Sequence, residues 1–132
     1  MLVRRLAEAP LEEWHKLRTK ILMDAGELGS RNMSVTWLEV PSGIDQELHS
    51  HEEAEQVYVV TRGSGSLTVA GDKQEVSAGD LVLVPPATDH SIANDGDVDL
   101  CCISVQSPPI TVSEVYGSTV AATVSDYDDE EY

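Results

Sequence analysis

From Asn32 to about residue 106 the chain breaks into short β-branched runs separated by Gly, Pro, Asp and Asn. That punctuation excludes long helices there and restricts the chain to many short strands, as in a sandwich or barrel. The runs fall at 33–40, 46–51, 55–61, 65–70, 73–77, 81–84, 90–94 and 98–106. Alternation puts Met33, Val35 and Trp37 on one face of the first run and Ser34, Thr36 and Leu38 on the other. Pro85 and Pro86 end the run DLVLV, because proline cannot donate to a central ladder.

Ahead of this region, residues 10–24 read as a helix. Pro10 suits its first turn, Glu12 and Glu13 follow, and Lys16, Arg18 and Lys20 lie towards its end, matching the helix dipole. Leu11, Trp14, Leu17 and Ile21 give the apolar spacing. The chain therefore divides into an N-terminal helix and linker (1–31), a β domain (32–115) and an acidic tail (116–132). With 132 residues it suits a single core. The last eight residues hold five acids and are expected to be a solvated, disordered tail.

Charge narrows the partners. Twenty-four Asp and Glu against eight Lys and Arg give a net charge of −16. Such a body repels nucleic acid backbones and anionic membranes, so neither is expected as a partner. Cys101 and Cys102 are adjacent and cannot form a spaced disulfide framework, which points to a reducing compartment. No signal peptide or bilayer-spanning stretch is evident, and the expected location is cytoplasmic.

Three of the four histidines, His49, His51 and His90, fall in one central region. In the segment ELHSHEE, His49 and His51 are two residues apart, so an extended backbone aims both imidazoles to one side, as a divalent metal requires. His15, on the predicted helix, reads as a surface residue.

A longer pattern surrounds them. In GIDQELHSHEEAEQVYVVTRGSG, Gly43, His49, His51, Gln56 and Gly63 follow in order. After fifteen further residues, GDLVLVPPATDHSIAN supplies Gly79, Pro85, His90 and Asn94. These two motifs over residues 43–94 closely resemble those of the cupin family. The resemblance implies an all-β, single-domain cupin β-barrel, a double-stranded jelly roll, here with an N-terminal helix. Gly43, Gly63 and Gly79 read as turn residues, and Pro85 and Asn94 as scaffold. Ala87 stands where the second motif usually has Gly.

The resemblance further implies a metal held by His49, His51, His90 and a fourth ligand. Gln56 fits the register to Gly63, and Glu55 fits the shorter spacing option. Neighbouring strand residues face opposite ways, so one of them points inward, and Gln56 is the preferred reading. Tyr58 and Val60 then point inward too, with Arg62 as a further candidate. Tyr58 becomes the candidate proton donor. Trp37 and Met33 are expected to pack beneath the site, Cys101 and Cys102 to be buried structural residues, and Glu52, Glu53 and Glu55 to form a solvated acidic loop.

Three imidazoles and an amide are neutral, so the ion keeps its double positive charge and attracts anions. Zinc, manganese, nickel, iron and cobalt all accept such donors. The expected function is a metal-dependent enzyme acting on a small hydroxylated or carboxylated metabolite by isomerisation, lyase or ring-opening chemistry. Alternatives are a metal-dependent dioxygenase or decarboxylase, and a non-catalytic small-molecule-binding protein. The resemblance also implies a homodimer with an edge strand or the N-terminal segment exchanged.

Overall fold

A computed structural model describes residues 1, 3–14, 16–24 and 30–109. His15, Gly26, Gly29 and the acidic tail lie outside the described residues, as do the readings made for them. A 3-10 turn at Leu6–Glu8 precedes nine strands: β1 (Glu12–Trp14), β2 (Leu17–Met23), β3 (Ser34–Val40), β4 (Glu55–Arg62), β5 (Ser64–Val69), β6 (Asp72–Ser77), β7 (Leu81–Val84), β8 (His90–Ala93) and β9 (Leu100–Ser107). They form two antiparallel sheets. The larger runs β1-β2-β3-β9-β4-β7 and the smaller runs β6-β5-β8. Two isolated bridges, Asp45 with Ala93 and His49 with His90, lay the chain between β3 and β4 alongside β8.

The core lies between the sheets, where alternate residues point inward. Leu38 and Val40 from β3, Tyr58 and Val60 from β4, and Leu100 and Cys102 from β9 meet Leu67 of β5, Val76 of β6 and Ile92 of β8. Each apolar side chain removed from water in this way contributes about 1.5–3 kcal/mol before entropy is charged against it. Cys101 and Cys102 are both buried and unbridged, as structural cysteines should be. Among the described residues, no helix is long and apolar enough to cross a membrane.

The helix expected over residues 10–24 is not formed; β1 and β2 occupy it instead. Leu17 and Thr19 are buried while Arg18 and Lys20 are half-buried, a period of two that the apolar positions alone did not distinguish from a helical one. Pairing decides the matter: β2 satisfies the open edge of β3 from Arg18 opposite Glu39 to Met23 opposite Val35. Lys16, at φ 69°, turns the chain between the two strands. The run expected at 46–51 is likewise not a strand, since its one bridge is the isolated pairing of His49 with His90. Pro85 and Pro86 do follow the last residue of β7.

A candidate metal centre

The site forms where the chain between β3 and β4 meets β8. The His49 N–H donates to the His90 carbonyl (3.0 Å), and the His90 N–H donates back to the His49 carbonyl (2.8 Å). This reciprocal pair sets the two imidazoles side by side, with ring centroids 4.2 Å apart. His51 adds a third ring, 5.3 Å from that of His49 and 5.5 Å from that of His90. Its backbone is pinned as well, because the Ala87 N–H donates to the His51 carbonyl at 2.7 Å. One ligand nitrogen from each ring lies within 4.8 Å of the others, close enough for small ring rotations to bring all three onto one ion at about 2.0–2.1 Å.

Hydrogen bonds fix which nitrogen the His49 and His90 rings present. His49 Nδ1 lies 3.1 Å from the Glu47 carbonyl, and His90 Nδ1 lies 2.9 Å from the Thr88 carbonyl. A carbonyl only accepts, so Nδ1 carries the proton and Nε2 keeps its lone pair, the state a metal-binding imidazole needs. Burial holds the His90 imidazole below its ordinary pKa; the neighbouring His51 adds to the effect, while the Thr88 carbonyl and Asp89 oppose it. His90 Nε2 is buried and has no hydrogen-bond partner.

Gln56 shares the cavity with His49 and His51. It is buried, whereas Glu55 is exposed, in keeping with strand alternation. Gln56 Nε2 donates to Ser104 Oγ at 2.7 Å, and Gln56 Oε1 is buried without a partner. A buried carbonyl oxygen and a buried imidazole nitrogen, both left as bare acceptors, form the donor set a hard-to-borderline cation accepts. The residues therefore fit a divalent metal ion.

Around them lies a cavity of about 40 Å³ that opens to solvent, room for an ion and a few waters. Tyr58 lines it, and burial pushes its phenol far above the ordinary value, with the nearby Cys102 adding to the shift. A hydrogen bond with the Gln56 side chain opposes the shift; the phenol stays protonated, and its hydroxyl can both donate and accept. Trp14, Thr19, Thr36, Leu38, Gln46, Ser104 and Gln106 complete the wall. These escaped the sequence reading. Their signal was present as polar residues at alternate positions, Ser34 and Thr36 in β3 and Ser104 and Gln106 in β9, inside otherwise apolar strands.

Some sequence expectations need correction. Trp37 and Met33 do not pack beneath the site: Ser34, Thr36 and Leu38 face inward, Met33 is exposed, and Trp37 sits on the outer face, its indole N–H donating to Glu39 Oε2 at 2.9 Å. Arg62 is exposed because the β4 register against β9 shifts between Val60 and Arg62. Glu52, Glu53 and Glu55 are exposed, as a solvated acidic segment should be. Asn94 is a scaffold residue, its side-chain amide donating to the Val40 and Val98 carbonyls, each at 2.8 Å. Ala87 has φ 56°, so an alanine occupies a left-handed position that glycine takes without strain.

An uncharacterised protein of Methanocaldococcus jannaschii is 39% identical over 70 residues, covering 53% of this chain and 56% of that protein. An oxalate-binding protein of Thermotoga maritima is 31% identical over 68 residues, covering 52% and 56% respectively. The chain thus spans about half the length of these curated relatives. Among solved structures, one described as a predicted oxalate decarboxylase from Thermotoga maritima superposes with a TM-score of 0.75 at 23% identity, covering 81% of this chain and 99% of that one; it supports the fold alone. Residues 36–106 match the family model of the cupin domain, and they hold all three clustered histidines. With two antiparallel sheets enclosing that cluster, this chain belongs to the cupin family.

Proposed function

We propose that this chain is a divalent-metal cupin that binds a small carboxylated or hydroxylated metabolite, with His49, His51, His90 and Gln56 as metal ligands. The observation that carries the reading is the meeting of three imidazoles beside a cavity, with His90 Nε2 and Gln56 Oε1 buried without partners. A bound ion in this neutral donor set keeps its double positive charge and polarises the oxygens of a ligand. The protein's own part is to orient those donors, to exclude water with Leu38, and to offer hydrogen bonds from Tyr58 and Thr36. The relative that binds oxalate lends support to a carboxylate ligand.

On this reading the chain is a metal-dependent enzyme performing isomerase, lyase or ring-opening chemistry, with Tyr58 as proton donor. Decarboxylase or dioxygenase chemistry is the alternative. The lining itself favours keeping a second reading, a non-catalytic binding protein. No carboxylate or lysine lines the cavity among the described residues, so, with the histidines on the metal, proton transfer falls to a Tyr58 phenol that resists ionisation.

Metal analysis of the purified protein, followed by calorimetric titration with oxalate and acetate, tests the proposal. Stoichiometric metal and metal-dependent oxalate binding are expected; failure to bind or reconstitute any divalent metal refutes it. Assays of oxygen uptake and carbon dioxide release with wild type and Tyr58→Phe then separate the reaction classes, and ligand binding without turnover supports the binding protein.

We also propose a cytoplasmic homodimer, with neither nucleic acid nor membrane as partner given the −16 charge. Its support is the outer face of the larger sheet. Leu81 and Leu83 on edge strand β7 are exposed, and they stand in register with Val59 and Val57, which pair in turn with Ile103 and Val105. Sedimentation of wild type as a dimer and of Leu83→Lys as a monomer is expected; a monomeric wild type refutes the assignment.

A further inference from the structure

A chain of four buried polar side chains links Gln56 through the cavity wall to Ser34. Ser34 Oγ donates to Gln106 Oε1 at 3.1 Å, Gln106 Nε2 donates to Ser104 Oγ at 2.7 Å, and Gln56 Nε2 donates to the same Ser104 Oγ at 2.7 Å. All four residues are buried, none more than 4% exposed. A hydroxyl oxygen has two acceptor sites, so the two amides fill both on Ser104. The far amide turns its oxygen end to the Ser34 hydroxyl, from which it accepts. That leaves the N–H₂ end of Gln106 for Ser104. The near amide, with its N–H₂ end also held by Ser104, has its oxygen end left over. This oxygen is buried and lacks a partner.

We infer that Ser104 is a positioning residue that presents the Gln56 carbonyl oxygen, rather than its N–H₂ group, to the cavity shared with His49 and His51, with Gln106 and Ser34 holding Ser104 in that role. The inference rests on the reading that the histidine cluster holds a divalent ion. An amide can turn over, and the two orientations are nearly equal in shape; in one a lone pair faces the ion, in the other two hydrogens do. Ser104 biases that choice from outside the ligand shell. The three residues come from β3 and β9, strands that carry none of the proposed ligands, so the larger sheet shapes a site whose histidines all sit on or beside the smaller one.

Cobalt(II) titration of the full chain, read by visible absorption, provides the test, since its bands report the ligand set independently of any turnover. Ser104→Ala is expected to weaken cobalt binding by about 10- to 100-fold and to alter the bands, while Ser104→Thr, which keeps the hydroxyl oxygen, restores both. The metal-free thermal midpoints show that each variant is folded. Unchanged affinity in Ser104→Ala, or weaker binding with unchanged bands, overturns the positioning role while leaving the metal site standing. A wild type without cobalt bands overturns both. Should Ser104→Ala not fold, Ser34→Ala loosens the chain from its far end; a severalfold loss of affinity is then expected, and wild-type affinity overturns the inference.

Discussion

Replacing Gln56 by Met separates the stability of the fold from the demands of the site. In the metal-free protein Gln56 Oε1 is a buried acceptor with no partner, which costs about 1–3 kcal/mol. Methionine has nearly the same length and removes that oxygen. It also removes the hydrogen bond from Gln56 Nε2 to Ser104, a loss of about 0.5–1.5 kcal/mol, but Ser104 keeps the donation from Gln106. The balance favours the variant by about 1 kcal/mol, or roughly 3–4 °C in midpoint for a domain of this size. Metal reverses the order. At a hundred times its Kd, the ion stabilises wild type by about 2.7 kcal/mol, and a variant binding ten- to a hundredfold more weakly gains only about 0.4–1.4 kcal/mol at the same concentration. Thermal melts in chelator and in excess manganese should therefore cross, with Gln56→Met ahead in the first and behind in the second. A variant clearly less stable than wild type in chelator would refute the reasoning, since the oxygen would then be satisfied without metal.

Other perturbations address the frame. Ala87 holds φ 56°, so Ala87→Gly should raise stability by about 0.5–1 kcal/mol in urea titration; a loss would contradict the left-handed turn beside His51. Gly65→Ala should cost about 2 kcal/mol or more in the same titration, because the added carbon would meet the Ala93 carbonyl oxygen and Leu100 Cδ2, and a backbone oxygen cannot step aside. Burial works against ionisation of Glu39, yet hydrogen bonds from Trp37 and Arg18 and the Arg18 charge hold its carboxyl below the usual range. That contribution, about 0.5–1 kcal/mol for so exposed a pair, is complete above the unfolded value near 4.5 and is lost as pH falls through the lower folded value. Glu39→Gln should flatten that acid limb in pH-dependent melts, and an unchanged limb would dismiss the pair. Burial pushes the Cys102 thiol up to about 12 and raises that of Cys101, so a thiol reagent should label neither until the protein unfolds; rapid native labelling would show that β9 is open.

Most of the β framework was legible because its signals are local. Proline after β7 and the short alternating runs bounded seven of the strands within a residue or two. Period-two geometry said that only one of Gln56 and Glu55 faces inward, and the choice of Gln56 came from the resemblance, through its spacing to Gly63. What stayed hidden depended on distant partners. Trp14, Leu17 and Ile21 satisfy a helical and an extended pattern about equally, and only the open edge of β3 selects the second. The segment holding His49 and His51 looks like a strand, yet it makes only isolated bridges. The chain through Ser34, Gln106 and Ser104 joins residues up to 72 positions apart, and no local rule announces that β3 and β9 lie side by side.

The paired amides of His49 and His90 have a consequence for how this protein tolerates change. Each residue fastens the other through its main chain, while its ring does separate work. Exchanging either ring for another side chain leaves the fastening intact, so scaffold and chemistry sit on different atoms of the same two residues. A lineage could thus trade one metal for another, or abandon metal altogether, without first having to rebuild the junction that holds the pocket together.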